Sequence, residues 1–308
     1  MHARARRRCS TSGCAERGVH YDGGVSERTW RCGDRDLPLG LRTLVMGVVN
    51  VTPDSFSDGG LFADTAQAVA FGAGLADDGA DIVDVGGEST RPGANDVSAD
   101  EEIDRVVPVI DGLRRARPDV VVSVDTRRPV VAKAAIDAGA HIVNDVGGAR
   151  EPTMLDTVAT ASCGFVLMHM LGEPRTMQDD PRYDDVVAEI HEYLRERVEA
   201  AVFAGLSVNR LAVDPGIGFG KTLEHNLALL RALDRFGDLD AAVVIGASRK
   251  GFIGTLTGVE RPADRREGSI AAAVVAASAG ADVVRAHDVA QTVRALAVAD
   301  AVYRGWSS

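Results

Sequence analysis

A chain of 308 residues with 45% hydrophobic side chains can bury one large core or two ordinary ones, and α/β barrels are the common reason a chain this long stays single. Its net charge of −11 is unevenly spread: eight arginines and four acids stand through Arg35, and 26 basic against 41 acidic residues follow, so the body carries −15. An acidic body excludes a broad nucleic-acid or anionic-membrane surface, and any anionic substrate must find a local basic pocket.

The N-terminal leader MHARARRRCS is basic but lacks the apolar core of a secretory signal, and Glu16, Asp22, Glu27 and Asp34 dilute the acid-poor composition of a transit peptide. Residues 1–29 are expected to be a disordered tail and residues 30–308 a single domain. Cys9, Cys14 and Cys32 in the leader and Cys163 in an apolar run form neither a disulfide framework nor a zinc spacing, which fits a reducing cytoplasm. No apolar run reaches the length of a membrane span.

An extended segment around Trp30 to Leu41, able to close the bottom of a barrel, precedes the first apolar run, Leu44–Asn50, which ends abruptly in a polar side chain and opens into a glycine-ended loop. The same plan then recurs. A run of β-branched residues delivers a polar group at its C-terminal end, and a turn leads into a helical pattern. The first helix is expected over Thr65–Asp78 with Asp64 as its cap, then a strand over Asp81–Gly86 and a helix over Asp100–Arg115 capped near Ser98. A strand over Val120–Asp125 leads to a helix from Pro129, with proline in the first turn, where a missing N–H is tolerated. The remaining strands are read at Ile142–Asn144, Gly164–His169, Leu211–Asp214, Ala242–Gly246 and Val283–Arg285. Helical patterns at Pro152–Thr160, Asp184–Ala204, Leu223–Phe236, Ala263–Ala279 and Val289–Tyr303 separate or follow them.

Eight strands alternating with eight helices match a (β/α)8 TIM barrel, with a doubly wound open sheet as the alternative. The polar residues discriminate between the two. Strand ends supply Asn50, Asp84 with Glu88, Asp125, Asn144 with Asp145, His169, Asp214, Ser248-Arg249-Lys250, and Arg285 with His287. An open sheet concentrates its site at one switch point, whereas a ring of contributions from nearly every strand predicts one site at the C-terminal mouth of a barrel.

Asp125, Asn144 and Asp214 at the ends of apolar strands need donor-rich partners or a metal to offset desolvation. A heterocycle with an amidine-like edge would satisfy them; each alone reads more simply as a helix cap. Arg249, Lys250, Arg285 and His287 form a basic group suited to a phosphate or diphosphate, with ion pairing to the mouth carboxylates as the competing use. Asn50 is uncharged and suits Mg²⁺ only where substrate phosphate and water complete the shell.

The segments MGVVNVTPDSFSDGG (from Met46), DGADIVDVGGESTRPGA (from Asp78), SVDT (from Ser123), LMHM (from Leu167), DPGIGFGK (from Asp214), GASRKGFIG (from Gly246) and RAHDV (from Arg285) together resemble the dihydropteroate synthase family. The resemblance covers essentially all of Leu44 to Val302. It implies a barrel that condenses 6-hydroxymethyl-7,8-dihydropterin diphosphate with 4-aminobenzoate, with Mg²⁺ as cofactor, commonly as a homodimer.

By the same resemblance Asp125, Asn144, Asp214 and Lys250 contact the pterin edge, Met168 and Arg285 bound the ring, and His287 with Arg285 holds the diphosphate. Asn50 is the metal ligand. Thr90, Arg91 and Pro92, with Phe56 and Asp58, belong to mobile segments around aminobenzoate, and Phe219, Lys221 and Ser248 complete that pocket. Asp58, Lys250 and Arg285 take the catalytic roles, whereas His169 is read as structural. Leu171 and Gly147 depart from the family pattern. The alternatives are a methyltransferase of the pterin-binding type and a catalytically silent paralogue; intact SRKGF and STRPG segments argue against the first, and an intact Arg285 and His287 against the second.

Overall fold

The structure is a computed structural model that describes residues 28–51, 60–88 and 97–305, with the backbone alone for residues 60–64. The leader through residue 27 and the segments holding Phe56, Asp58, Thr90, Arg91 and Pro92 lie outside the described residues.

A short hairpin comes first, β1 (Arg28–Cys32) and β2 (Arg35–Leu39), paired antiparallel with Arg28 opposite Leu39. The barrel then begins with β3 (Leu44–Asn50), α1 (Gly60–Asp77), β4 (Ile82–Gly86) and α2 (Ala99–Ala116). It continues through β5 (Val121–Asp125), α3 (Pro129–Asp137), β6 (Ile142–Asp145), α4 (Pro152–Thr160) and β7 (Gly164–Met168). After α5 (Val186–Phe203) come β8 (Leu211–Asp214), α6 (Leu223–Arg231) and β9 (Ala242–Ile245). The chain ends with α7 (Gly251–Thr257), α8 (Arg266–Ser278), β10 (Val283–Ala286) and α9 (Val289–Tyr303). Strands β3 to β10 close in chain order into a parallel barrel, β10 pairing with both β9 and β3. The open-sheet alternative is thereby excluded.

Two cores follow from strand alternation. Outward-facing residues such as Val45, Val83, Val122, Val143 and Phe165 pack beneath the helices. Inward-facing Met46, Ile82, Val121, Ile142, Val166 and Val283 fill the lower barrel. The hairpin plugs the bottom: Trp30, Cys32 and Leu39 join the inner cluster, and the Trp30 indole N–H donates to the Arg210 carbonyl at 3.0 Å.

Several helix boundaries differ from the sequence reading. Helix α1 starts at Gly60, so Asp64 lies inside it rather than at its cap. Helix α2 is capped as expected, Ser98 Oγ accepting from the Glu101 N–H. The helical pattern from Leu223 breaks at Ala232 into a 3₁₀ segment, Leu233–Leu239, and α7 is an added short helix before α8. Among the described residues no helix is long and apolar enough to cross a membrane.

Candidate active site

The site is built by stepping two residues up each strand from the apolar floor, because every second side chain points inward. Ile142 is followed by Asn144, Val166 by Met168, Ala212 by Asp214 and Val283 by Arg285, while Val121 leads through Ser123 to Asp125. The side chains converge on a cavity of about 580 Å³ at the mouth. Asn50, Asp125, Asn144, Met168, Asp214, Phe219, Lys221, Ser248, Lys250, Arg285 and His287 all line it, so the structure brings together every expected site residue that it describes.

Charge balance at the floor centres on Arg285. Its Nε donates to Asp84 Oδ2 at 2.7 Å and its Nη2 to Asp125 Oδ2 at 2.8 Å. The guanidinium is thus paired with carboxylates as well as facing the cavity, the competing use weighed from sequence. Burial pushes the Asp125 carboxyl up to about 7; Arg285 opposes the shift, and the neighbouring charges of Asp84 and Glu102 add to it. Burial also raises Asp214, against the Gly216 N–H that donates to its Oδ1 at 2.7 Å and the nearby Lys250 and Lys221.

The turn after β8 needs its glycines. Gly216 has φ +71°, and a Cβ there would overlap the His169 carbonyl oxygen. This close approach holds Asp214 against β7 and explains GIG at that point.

One wall is apolar and cationic together. Met168 packs with Val146, Met170, Met177 and Phe219, a flat surface for a ring, and Lys250 Nζ lies 3.8 Å from the Phe219 ring centroid. Ser248 Oγ accepts from the His287 N–H at 3.3 Å and meets His287 Nδ1 at 3.0 Å, which links the ends of β9 and β10. Lys221 is buried, its Nζ donating to the Phe219 carbonyl at 2.9 Å and facing His169 Nδ1 at 3.0 Å. Burial lowers Lys221 to about 7 and His169 to about 2. His169 is therefore neutral, with Nδ1 accepting and the ring packed edge-on against Tyr193, the structural role expected of it.

Arg249 shows the ion pairing weighed as the competing use of the basic group. Its Nε and Nη2 bind Asp288 at 3.2 and 3.0 Å, with φ +61°. It lines the cavity with its cationic group already engaged. Sequence reasoning counted Asp84 in the ring of strand ends but gave it no role; its complete burial beneath Arg285 is a tertiary fact. Of the two departures from the family pattern, Gly147 donates its N–H to Asp145 Oδ1 at 2.7 Å, and Leu171 packs against the Gly220 turn.

Fold and mouth together define a barrel enzyme that recognises a flat, donor-edged ring next to a cationic wall. The family model described as pterin binding enzyme matches residues 46–287. The dihydropteroate synthase of Escherichia coli K12 is 46% identical over 257 residues, which is 83% of this chain and 90% of the relative. A Xanthomonas albilineans dihydropteroate synthase solved with 4-aminobenzoic acid superposes with a TM-score of 0.84 at 50% identity, covering 90% of this chain and 98% of that one. The same bacterium's enzyme in complex with 7,8-dihydropteroate gives a TM-score of 0.80 at 48% identity over 89% of this chain and 98% of that one. The chain belongs to the dihydropteroate synthase family of pterin-binding enzymes.

Proposed function

We propose that this chain condenses 6-hydroxymethyl-7,8-dihydropterin diphosphate with 4-aminobenzoate, giving 7,8-dihydropteroate and diphosphate. The observation that carries the reading is one cavity in which Asp125, Asn144 and Asp214 face the Phe219–Lys250 wall and the Ser248–His287 pair. The three oxygen-bearing side chains accept the N–H donors of the pterin's amidine-like edge. Met168 and Arg285 bound the ring. Lys250 joins the pterin-edge contacts, kept in place by its cation–π contact with Phe219, and His287 with Arg285 holds the departing diphosphate.

The carbon–oxygen bond of the exocyclic methylene breaks with both electrons passing to the diphosphate, and the electron-rich dihydropterin delocalises the cation left behind. The arylamine lone pair then forms the carbon–nitrogen bond, and the amine proton leaves to water. An arylamine is neutral at pH 7, so no strong general base is required, consistent with a His169 that is neutral and committed to Lys221. Asp58, in the first loop, is assigned to stabilising the cation. Phe56, Thr90, Arg91 and Pro92 are assigned to enclosing aminobenzoate.

Asn50 is the proposed Mg²⁺ ligand. A single neutral carbonyl lining the cavity fits an ion that takes few protein ligands and completes its shell with substrate phosphate and water, and no cluster of three acidic, His or Cys ligands competes among the described residues. When bound, the ion would neutralise the leaving diphosphate. A homodimer is supported by exposed apolar side chains on three successive helices, Leu256, Val275, and Val298 with Val302. Two free, buried cysteines, Cys32 and Cys163, support a cytoplasmic location.

The test is diphosphate release by purified protein with both substrates and Mg²⁺, and its inhibition by a sulfonamide mimic of aminobenzoate. Release that does not depend on 4-aminobenzoate would overturn the synthase reading.

A further inference from the structure

Asp84 lies on β4 one inward step below the mouth, fully buried and outside the set of residues that line the cavity. Two floor residues nonetheless depend on one of its oxygens. Asp84 Oδ2 accepts from Arg285 Nε at 2.7 Å and from Asn144 Nδ2 at 3.1 Å. Burying a carboxylate this deeply in a barrel is costly unless it is paired. Apolar residues hold the inward positions directly below, Ile82 on the same strand and Val121 and Ile142 on the next two.

The consequence concerns which end of the Asn144 amide meets the substrate. An oxygen already paired with a guanidinium has no proton to give, so only the NH₂ end of the amide can face Asp84. The carbonyl Oδ1 is then the end left for the cavity. Asn144 reads from sequence as a mixed donor and acceptor, whereas with its NH₂ end engaged it offers an acceptor. Beside Asp125 and Asp214 it completes a floor of three acceptors. The same Asp84 oxygen holds the Nε edge of Arg285, so the Nη2 group lies on Asp125 at 2.8 Å and the guanidinium plane is fixed.

From this geometry we infer that Asp84 is a positioning and specificity-determining residue: it orients the Asn144 amide as an acceptor and fixes the Arg285 plane, so that the floor admits a ring edge rich in N–H donors and rejects one carrying carbonyl oxygens. The inference rests on the pterin reading above and deepens it. A site built to accept hydrogen bonds discriminates strongly against an analogue that brings a second acceptor, because two buried oxygens then face each other unpaired.

The experiment compares the binding of 6-hydroxymethylpterin diphosphate with that of its 2-oxo counterpart, which replaces the ring's amino donor by a carbonyl, in the wild type and in Asp84→Asn. In the variant the new amide can donate to Asn144, which frees Asn144 to turn its NH₂ towards the cavity. Pterin affinity is expected to fall roughly tenfold or more. The preference for pterin over the 2-oxo ring is expected to shrink by a similar factor, with KM for 4-aminobenzoate unchanged within about twofold.

A purely structural role would weaken both ligands equally and leave their ratio unchanged, and that result overturns the inference. If Asp84→Asn fails to fold, a neutron structure of the wild type decides: Nδ2 of Asn144 towards Asp84 supports the assignment, and Oδ1 towards Asp84 overturns it. A wild-type protein that binds neither ring would instead refute the pterin reading, and this inference with it.

Discussion

Asp125 carries electrostatic strain at the floor, since burial and the nearby charges of Asp84 and Glu102 outweigh the help of Arg285. A donor-edged ligand relieves that strain by supplying N–H groups to the carboxylate. Asp125→Ala is therefore expected to reduce pterin affinity by more than about 100-fold, as a lost charge-assisted pair leaves both Arg285 and the ligand edge short of a partner. Calorimetric titration with the pterin diphosphate checks this, and unchanged affinity would contradict the site's geometry.

Lys221 makes a prediction about stability. Its ordinary value of 10.5 falls to about 7 in the folded chain, so the unfolded chain binds the proton more tightly. The group's stabilising contribution is fully present above pH 10.5, shrinks as pH falls and is lost by about pH 7. The wild type should gain stability relative to Lys221→Met between pH 7 and 10, with a slope of at most about 1.4 kcal/mol per pH unit. Urea unfolding across that range measures it; a flat difference between the two proteins would refute the burial of the ammonium.

At the scale of elements, the strands were legible because β-branched runs ending in a polar residue have few other readings. β3, from Leu44 to Asn50, and β8, from Leu211 to Asp214, stand where the pattern placed them. Short elements were not legible. The seven residues of α7 begin with glycine directly after Ser248-Arg249-Lys250 and are too few to show a helical period. The long pattern from Leu223 concealed a change to 3₁₀ geometry at Ala232, since Leu233, Phe236 and Leu239 are buried in either form.

The segment around Trp30 to Leu41 reads from sequence as extended and able to close the barrel bottom, and it does so as the hairpin β1–β2. Trp30→Ala should destabilise the fold by about 3–5 kcal/mol, the usual range for removing a large buried aromatic ring, and should leave kcat within about twofold because the ring sits at the opposite end from the mouth. Chemical unfolding and steady-state assays separate the two effects. A loss of turnover without a loss of stability would contradict a purely structural plug.

For the whole molecule, an acidic body with a basic cluster at the mouth places attraction for an anionic substrate there. The outer helices carry a different message. Val302 on α9 is 72% exposed and Val298 67%, and Val275 on the neighbouring α8 is exposed as well. The homodimer proposal predicts that light scattering will report twice the chain mass, and that Val302→Glu will shift the protein towards monomer while the barrel still melts cooperatively. A wild type that remains monomeric at the highest soluble concentration would end that proposal.

Sequence alone determined the repeated strand–helix plan and the convergence of polar strand ends, because a two-residue alternation and closure into a ring leave those side chains only one place to meet. It also identified Asp125, Asn144, Asp214, Lys250 and Arg285 by type and position. Only the tertiary structure decided how those groups are spent. Arg249 and Asp288 stand 39 residues apart, as do Ser248 and His287, yet one pair joins a cavity cation to a carboxylate and the other ties two strand ends together. Arg285 and Asp84 lie 201 residues apart. Hydrogen bonds are directional and short-ranged, so residue type shows what a side chain can bind, and only the folded barrel shows which partner reaches it first.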